Sequence, residues 1–308
     1  MNYKTKTILH SVKVKIESEK VLENFYSEFS HIEIIKTRSF GKMLILDNEI
    51  QFAELDEFIY HEMFCFPTLF SHPAPKNILI IGGGDLLLAK QILKYSEIKN
   101  IDLIELDSYV IKFCNKHFKQ LVGDTSKNPK LHIKIQDGYQ FIKETLKLYD
   151  IIYIDLPDKK KNCQFAFEDK FYEDVKKILN SNGILSAQTG NGSCFYYSNR
   201  TRKIRKNLSI ENPKSCIEYF KIFTHHFRNS IQYRQHIPSF FGSWSFTLGS
   251  DSINFKRVNF EEVWNRYNKI NDNSLYYSPE YHKSIIYQPK IIDNLIKSAE
   301  KKTTLRPF

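Results

Sequence analysis

Four short apolar runs in the middle of the chain each end at a carboxylate or carry one just beyond. Asn77–Ile81 leads into Gly82-Gly83-Gly84-Asp85, and Ile101–Glu105 closes on Glu105. Leu131–Ile135 is followed by Asp137-Gly138, and Asp150–Asp155 closes on Asp155 with Asp158 behind it. If these runs are strands of an open parallel sheet, their carboxyl ends share the edge where such sheets bind ligands. The glycines let the backbone approach a ligand and aim the next helix's N–H groups at it. The pattern Gly82-x-Gly84-x-x-Leu87 lacks the third glycine of a dinucleotide fingerprint, which counts against a pyrophosphate-bearing cofactor. Glu105 suits the two hydroxyls of a ribose, and Asp137-Gly138 suits an adenine edge, with the acid accepting from the amino group and the glycine leaving room. A lone GxG is equally the mark of a tight turn, and Glu105 or Asp137 alone could be a helix N-terminal acid. The joint spacing is what favours an adenosine site without phosphates, meaning an S-adenosyl compound.

Asp85, Asp155 and Asp158 exceed what such a compound needs. A polycationic amine does need them, because desolvating its ammonium groups is offset only by paired charge. The attacking nitrogen must also lose a proton, since an ammonium of pKa about 10 has no lone pair. Asp155, at a strand end, is the expected acceptor of that proton.

The elements that must position these groups follow from the hydrophobic pattern. Residues 1 to about 73 read as strands and turns, with Ile32, Ile34 and Ile35 before a turn near Gly41, then Met43–Leu46, a turn at Asp47-Asn48, and Ile50 with Phe52. Leu55–Phe70 has helical spacing and acids in its first turn, and Pro67, Pro73 and Pro75 mark a connection. From Asn77, apolar strands alternate with amphipathic segments, which predicts a Rossmann-like α/β fold: a parallel sheet with helices on both faces, behind a small N-terminal β-domain. Gly183–Gln188 is expected as a fifth strand, 196–215 as a loop or helix, and Phe220–Phe223 and Trp244–Leu248 as strand-like. The tail 254–296 is expected to be mostly helical. The predicted division is 1–73, β-hairpins with a linking helix, and 74–308, the Rossmann-like domain with its helical tail.

Composition excludes a fibrous or disordered chain. The 308 residues are 42% apolar and 26% charged. The net charge of +10 (45 Lys and Arg against 35 Asp and Glu) is spread along the chain rather than gathered on one arm, so a solvated surface is favoured over a nucleic-acid partner. No window is apolar enough for a membrane span, and the opening stretch lacks a signal-peptide core, so a cytoplasmic protein is expected. The odd cysteine count without CxxC spacing predicts five reduced thiols and no zinc site.

Taken together, these residues resemble the polyamine aminopropyltransferases, of which spermidine synthase is the type. The similarity covers roughly residues 24 to 290: Leu46-Asp47 with Ile50-Gln51, the stretch Asp56–Met63, Ile80–Asp85, Ile104–Asp107, Asp137-Gly138, Asp155 with Asp158, Gln188, and Tyr276–His282. The resemblance implies a small N-terminal domain used in homodimer or homotetramer formation. It also implies aminopropyl transfer from decarboxylated S-adenosylmethionine, a co-substrate rather than a resident cofactor, to an amine such as putrescine, with release of methylthioadenosine. Carried over, Asp155 would accept the proton, and Tyr60, Asp158 and Gln188 would hold the acceptor. Asp85 and His61 would flank the aminopropyl group, with Asp85 repelling the carboxylate of ordinary S-adenosylmethionine. Glu105, Asp137 and Gly138 would bind ribose and adenine beside Gly82 and Gly84, and Gln51 would line the cleft.

The chain also departs from the family pattern. Leu86 and Leu87 replace two glycines and are expected to put side chains into the turn beside the donor. Ser30 stands for a glutamine and Phe240 for a tyrosine, and Lys159-Lys160-Lys161-Asn162-Cys163 replaces a Pro/Gly-rich gate. Each hydroxyl lost from a buried polar site is worth about 1–3 kcal/mol, enough to change a substrate preference. The three lysines read either as a solvated loop or as a hint of a carboxylated acceptor. Another S-adenosylmethionine-dependent transferase, or a non-catalytic homologue, are the alternative readings.

Overall fold

A computed structural model gives the fold and describes residues 2–9, 12–157, 161–192, 216–271, 273–287 and 290. The expected readings for Asp158, Lys159, Lys160 and the 196–215 stretch lie outside the described residues. The N-terminal part opens with an antiparallel hairpin, β1 (Asn2–Leu9) and β2 (Val12–Ser18). An antiparallel meander follows, β3 (Lys20–Tyr26), β4 (His31–Thr37), β5 (Gly41–Leu46) and β6 (Glu49–Ala53). Asp47 and Asn48 join β5 to β6 with φ of 51° and 66°, the signs a two-residue hairpin turn demands and that Asp and Asn tolerate. Ile34 and Ile35 are adjacent and both fully buried, so both faces of β4 are covered.

Helix α1 (Glu57–Ser71) comes next, and only Phe58 in it is not buried. A helix apolar all round belongs in an interior, and α1 packs against the large sheet rather than lying on the surface. The strands of that sheet and their connecting helices alternate as β7 (Asn77–Gly82), α2 (Leu87–Leu93), β8 (Asn100–Glu105), α3 (Ser108–His117), α4 (Lys119–Val122), β9 (Leu131–Ile135), α5 (Gly138–Glu144) and β10 (Tyr149–Asp155). A 3-10 segment at Lys161–Phe167 leads to α6 (Asp169–Lys177) and β11 (Leu179–Asn191). Then come α7 (Cys216–His226), β12 (Asn229–Ile237) and β13 (Gly242–Ser250). The strand order is β12-β13-β11-β10-β7-β8-β9. The strands from β11 to β9 are parallel, and β13 and β12 add antiparallel pairs at one edge. The chain order reverses direction between β10 and β7, the position where open α/β sheets form their ligand crevice.

Two expectations are corrected here. Phe220–Phe223 is not strand but part of α7, because Cys216, Phe220 and Phe223 recur at helical spacing and all three are buried. The tail is only partly helical: among the described residues it holds α8 (Phe260–Tyr267), α9 (Pro279–His282) and single 3-10 turns. A third correction concerns the thiols. Cys65, Cys114 and Cys163 are free, but Cys216 is disulfide-bonded; pairing depends on proximity in space, which linear spacing does not report. No helix among the described residues is long and apolar enough to cross a membrane.

The Tyr276–His282 motif serves α1. The fully buried Glu62 carboxylate accepts the backbone N–H groups of Leu275, Tyr276 and Tyr277 at 2.8, 2.8 and 2.9 Å. Arg266 on α8 donates to the carbonyls of Phe70 and Pro73 and so satisfies the C-terminal end of α1. Charge-assisted bonds of this kind are the strong ones, and removing the acceptor leaves three backbone donors, the buried Tyr277 N–H among them, without their partner. Glu62→Ala is therefore expected to lower the unfolding free energy by about 3–5 kcal/mol, and Glu62→Gln, which keeps one acceptor oxygen, by about half as much. Urea midpoints at unchanged slope measure both.

Candidate active site

The sheet register builds the site. Asp155 pairs with Gly82, Ile81 with Ile104, and Glu105 with Ile135, so the carboxyl ends of β10, β7, β8 and β9 line up. Gly82 and Gly83 have φ of 84° and 69°, the left-handed region that glycine enters without strain. A Cβ at Gly82 would lie 2.1 Å from the Asp155 carbonyl oxygen, and one at Gly84 would lie 2.6 Å from Glu105 Oε2. The turn is therefore glycine because Asp155 and Glu105 close on it from both sides. Leu86 takes φ of 70° as well, which costs a branched residue roughly 1–2 kcal/mol. Its side chain is fully buried, as is that of Leu87 at 1% exposure, and burying a leucine stabilises by about 1.5–3 kcal/mol, enough to offset the strain. The expectation that these two side chains enter the donor turn is thus corrected: they point into the core shared with α1.

Asp85 follows that turn and fixes it by accepting the Leu87 N–H at 2.8 Å. Its other oxygen lies 3.5 Å from His61 Nε2, while His61 Nδ1 is 2.7 Å from Glu57 Oε2. His61 is 1% exposed. Burial alone would push its pKa down, but Asp85 on one side and Glu57 on the other outweigh it and raise it well above the usual value. The imidazolium is thus an internal counter-ion between two acids. One residue earlier in sequence, the Tyr60 hydroxyl donates to Asp155 Oδ1 at 2.7 Å. The Asp155 pKa is raised to about 7, first by burial and then by the negative charge of Asp85, against the Tyr60 hydrogen bond and the His61 charge. A carboxylate held near neutrality at a strand end is suited to accept a proton from a ligand.

Glu105 accepts the backbone N–H groups of Gly84 at 3.0 Å and Asp107 at 2.9 Å. Burial raises its pKa to about 7. Asp107 caps α3 and also accepts the hydroxyls of Ser27 at 2.5 Å and Ser30 at 3.0 Å. Ser30 therefore ties the β3–β4 turn to Asp107, whose own backbone N–H is held by Glu105. Asp137 is the N-cap of α5, accepting from Gln140 N–H at 2.7 Å, and remains exposed. Gly138 is required because a Cβ there would lie 2.4 Å from Ile81.

Gln188 on β11 donates to the carbonyl of Leu156, next to Asp155, and accepts from Trp244 Nε1 and the Gly190 N–H, each at 3.0 Å. Phe240 packs edge-on against Tyr60 at 6.0 Å and Trp244 at 4.9 Å between ring centres. The segment carrying it is anchored by Asp56, which accepts the Ser239 N–H at 2.7 Å. Gln51 is partly buried on β6 and donates to the Glu49 carbonyl; no described contact joins it to the carboxylates above. Sequence reasoning passed over Glu57, Asp107 and Trp244. The four-residue spacing of Glu57 and His61 was visible as a same-face helical pair, whereas Trp244 and Asp107 carried no local signal.

Comparison with known proteins identifies the fold and its chemistry. Residues 57–233 match the spermine/spermidine synthase domain and residues 1–54 the spermidine synthase tetramerisation domain. The chain is 35% identical to a polyamine aminopropyltransferase of Methanocaldococcus jannaschii, covering 94% of this chain and 93% of that one. It is 29% identical to the polyamine aminopropyltransferase of Bacillus subtilis, covering 92% and 95%. Among solved structures, a spermidine synthase in complex with the transition-state analogue AdoDATO superposes with a TM-score of 0.83 at 24% identity, covering 96% of this chain and 95% of the other. The spermidine synthase of Thermotoga maritima gives 0.80 at 24% identity, covering 96% and 94%. The chain belongs to the spermine/spermidine synthase family and is an enzyme of the polyamine aminopropyltransferase class.

The raised Asp155 pKa has a stability consequence of definite sign. Below about pH 4 the group is protonated in both folded and unfolded chains and contributes nothing. Between about 4 and 7 the unfolded chain ionises first, so stability falls as pH rises; above about 7 the penalty is constant. Asp155→Asn is expected to be more stable than wild type at pH 8 by on the order of 4 kcal/mol and nearly equal to it at about pH 3 to 4. Urea denaturation of the ligand-free proteins at the two pH values tests this.

Proposed function

We propose that this enzyme transfers the aminopropyl group of decarboxylated S-adenosylmethionine to an amine, with putrescine the default acceptor, and releases methylthioadenosine. The observation that carries the reading is the Tyr60–Asp155 hydrogen bond beside Asp85, at a glycine turn that lacks the third glycine of a dinucleotide fingerprint. The relatives named polyamine aminopropyltransferase support it. Glu105, Asp137 and Gly138 are assigned to the ribose and adenine, with Gly82 and Gly84 letting the donor approach. Gln51 and His61 complete the donor side. Tyr60, Asp155, Asp158 and Gln188 are assigned to the acceptor, and Asp85 lies between the two. Residues 1–73 are proposed as an oligomerisation unit with its linking helix, residues 74–308 as the catalytic unit, and the working form as a cytoplasmic homodimer or homotetramer.

The reaction is an in-line displacement. The neutral amine nitrogen attacks the propyl carbon bonded to the sulfonium, the new N–C bond forms as the C–S bond breaks, and the electron pair leaves on methylthioadenosine. Asp155 takes the amine proton. The sulfonium is already an activated leaving group, so the enzyme's contribution is positioning and deprotonation. Because Leu86 and Leu87 are buried in the core, they give no support to a non-catalytic homologue.

Mass spectrometry of products from the decarboxylated donor and a panel of diamines tests the assignment. Methylthioadenosine with an aminopropylated amine is expected; S-adenosylhomocysteine from ordinary donor, or no turnover with any amine, would overturn it. The pH profile tests the base. The kcat/KM for the acceptor is expected to rise about tenfold per pH unit up to about pH 7 and then level. Tyr60→Phe removes a bond that favours the ionised form and should move that limb to higher pH, whereas Asp85→Asn removes a repelling charge and should move it lower. Asp155→Asn should lose about 10²–10⁴ in kcat, and full activity in that variant would rule out its role.

A further inference from the structure

On the face of the sheet away from α1, the end of α7 meets the start of α6. There His225 and His226, the last two residues of α7, approach Asp169, the first residue of α6. One ligating atom from each of the three lies within 4.8 Å of the other two. His226 Nε2 and Asp169 Oδ1 are 3.0 Å apart, close to the roughly 3.3 Å that separates two ligands of a tetrahedral ion with bonds of about 2.0–2.1 Å. The two imidazole rings are 4.9 Å apart at 83° to each other, so they address different vertices rather than stacking.

The site is braced from behind. The His226 ring stacks on buried Tyr172 at 5.1 Å, and Lys176 donates to the His226 carbonyl at 2.7 Å. The Lys176 ammonium is itself paired to Asp251 at 2.7 Å, which offsets its positive charge beside the site. Asp169 and His225 are exposed, which leaves the remaining coordination positions open to water.

We propose that Asp169, His225 and His226 form a binding site for a divalent transition-metal ion of the zinc or cobalt type. Two imidazoles and one carboxylate select such ions over magnesium and calcium, which take oxygen donors. The site is separate from the aminopropyl chemistry. Its effect is structural: the ion bridges α6 and α7, two helices already joined through the Tyr172–Phe223 ring contact. α6 directly follows the 3-10 segment Lys161–Phe167, so the bridge fixes the end of that segment against α7.

The test uses the full chain, stripped with chelator and titrated with Co²⁺ and Zn²⁺ alone. One equivalent of Co²⁺ is expected to bind with visible d–d absorption, and Zn²⁺ to displace it. Zn²⁺ at about 100-fold excess over its Kd should raise Tm by about 5 °C. His225→Ala and Asp169→Asn should each weaken binding at least about tenfold, the former leaving the metal-free Tm unchanged. Wild-type affinity in both variants would place the ion elsewhere, and absence of saturable binding up to millimolar metal would eliminate the site.

Discussion

The proximity of two acids, Asp85 and Asp155, is the constraint around which the site is built. The Asp85 charge is the second cause, after burial, of the raised Asp155 pKa. Such a pair is unfavourable in a folded protein without ligand, because like charges in a water-poor crevice repel with little screening. Three features keep it in place. The parallel register locks Asp155 against Gly82. The Tyr60 hydroxyl stabilises one acid. The buried His61 imidazolium, itself backed by Glu57, faces the other. Tyr60, His61 and Glu57 all lie on α1, so a single helix supplies the countermeasures for both acids.

That dependence explains how α1 is held. Its interior position leaves few polar partners for its own ends, and the C-terminal segment provides them. Glu62 fastens three backbone amides of 275–277 to the helix, and Arg266 takes up carbonyls at its far end. The Tyr276–His282 motif therefore acts on the site at one remove. The buried Tyr277 hydroxyl and His282 Nδ1 lie 2.6 Å apart, inside the support of α1 rather than facing the carboxylates. A residue pattern can thus accompany an activity because the helix that carries the active groups cannot be buried without it.

The sequence made the acids at the strand ends legible because strand, turn and helix are local patterns, and their alternation forces the carboxyl ends to one edge. Asp85, Glu105, Asp137 and Asp155 could be placed in this way. The partners that set their chemistry were mostly not legible. Asp107 is fixed by serines about 80 residues earlier in the chain, and Trp244 reaches Gln188 across 56 residues; neither pairing leaves a periodic trace. Leu86 and Leu87 were misplaced for a related reason. Side-chain identity gives what enters a turn, but the positive φ at Leu86 decides which way it points, and residue type does not announce that dihedral in a leucine. Phe220 and Phe223 were read as strand because a short apolar run does not distinguish a period of two from one of three to four until the buried set is known.

The same reasoning bears on how an acceptor would be held. A hydroxyl is missing where Phe240 replaces tyrosine, and Gln188 already spends its carbonyl on the Trp244 indole and the Gly190 amide. The wall formed by Tyr60, Phe240 and Trp244 is therefore aromatic surface with few free polar atoms. An ammonium bound against such a wall, on the function proposed above, would be held by ring faces and by the nearby acids, through interactions worth roughly 0.5–2 kcal/mol each that have little directional demand. A hydrogen-bonded subsite rejects a chain one methylene too long or short because its polar groups are left unpaired, whereas an aromatic one loses only a small contact term. If the acceptor is a diamine, as proposed, discrimination by length would come from the fixed separation between Asp155 and whatever group meets the distal nitrogen, not from the wall between them.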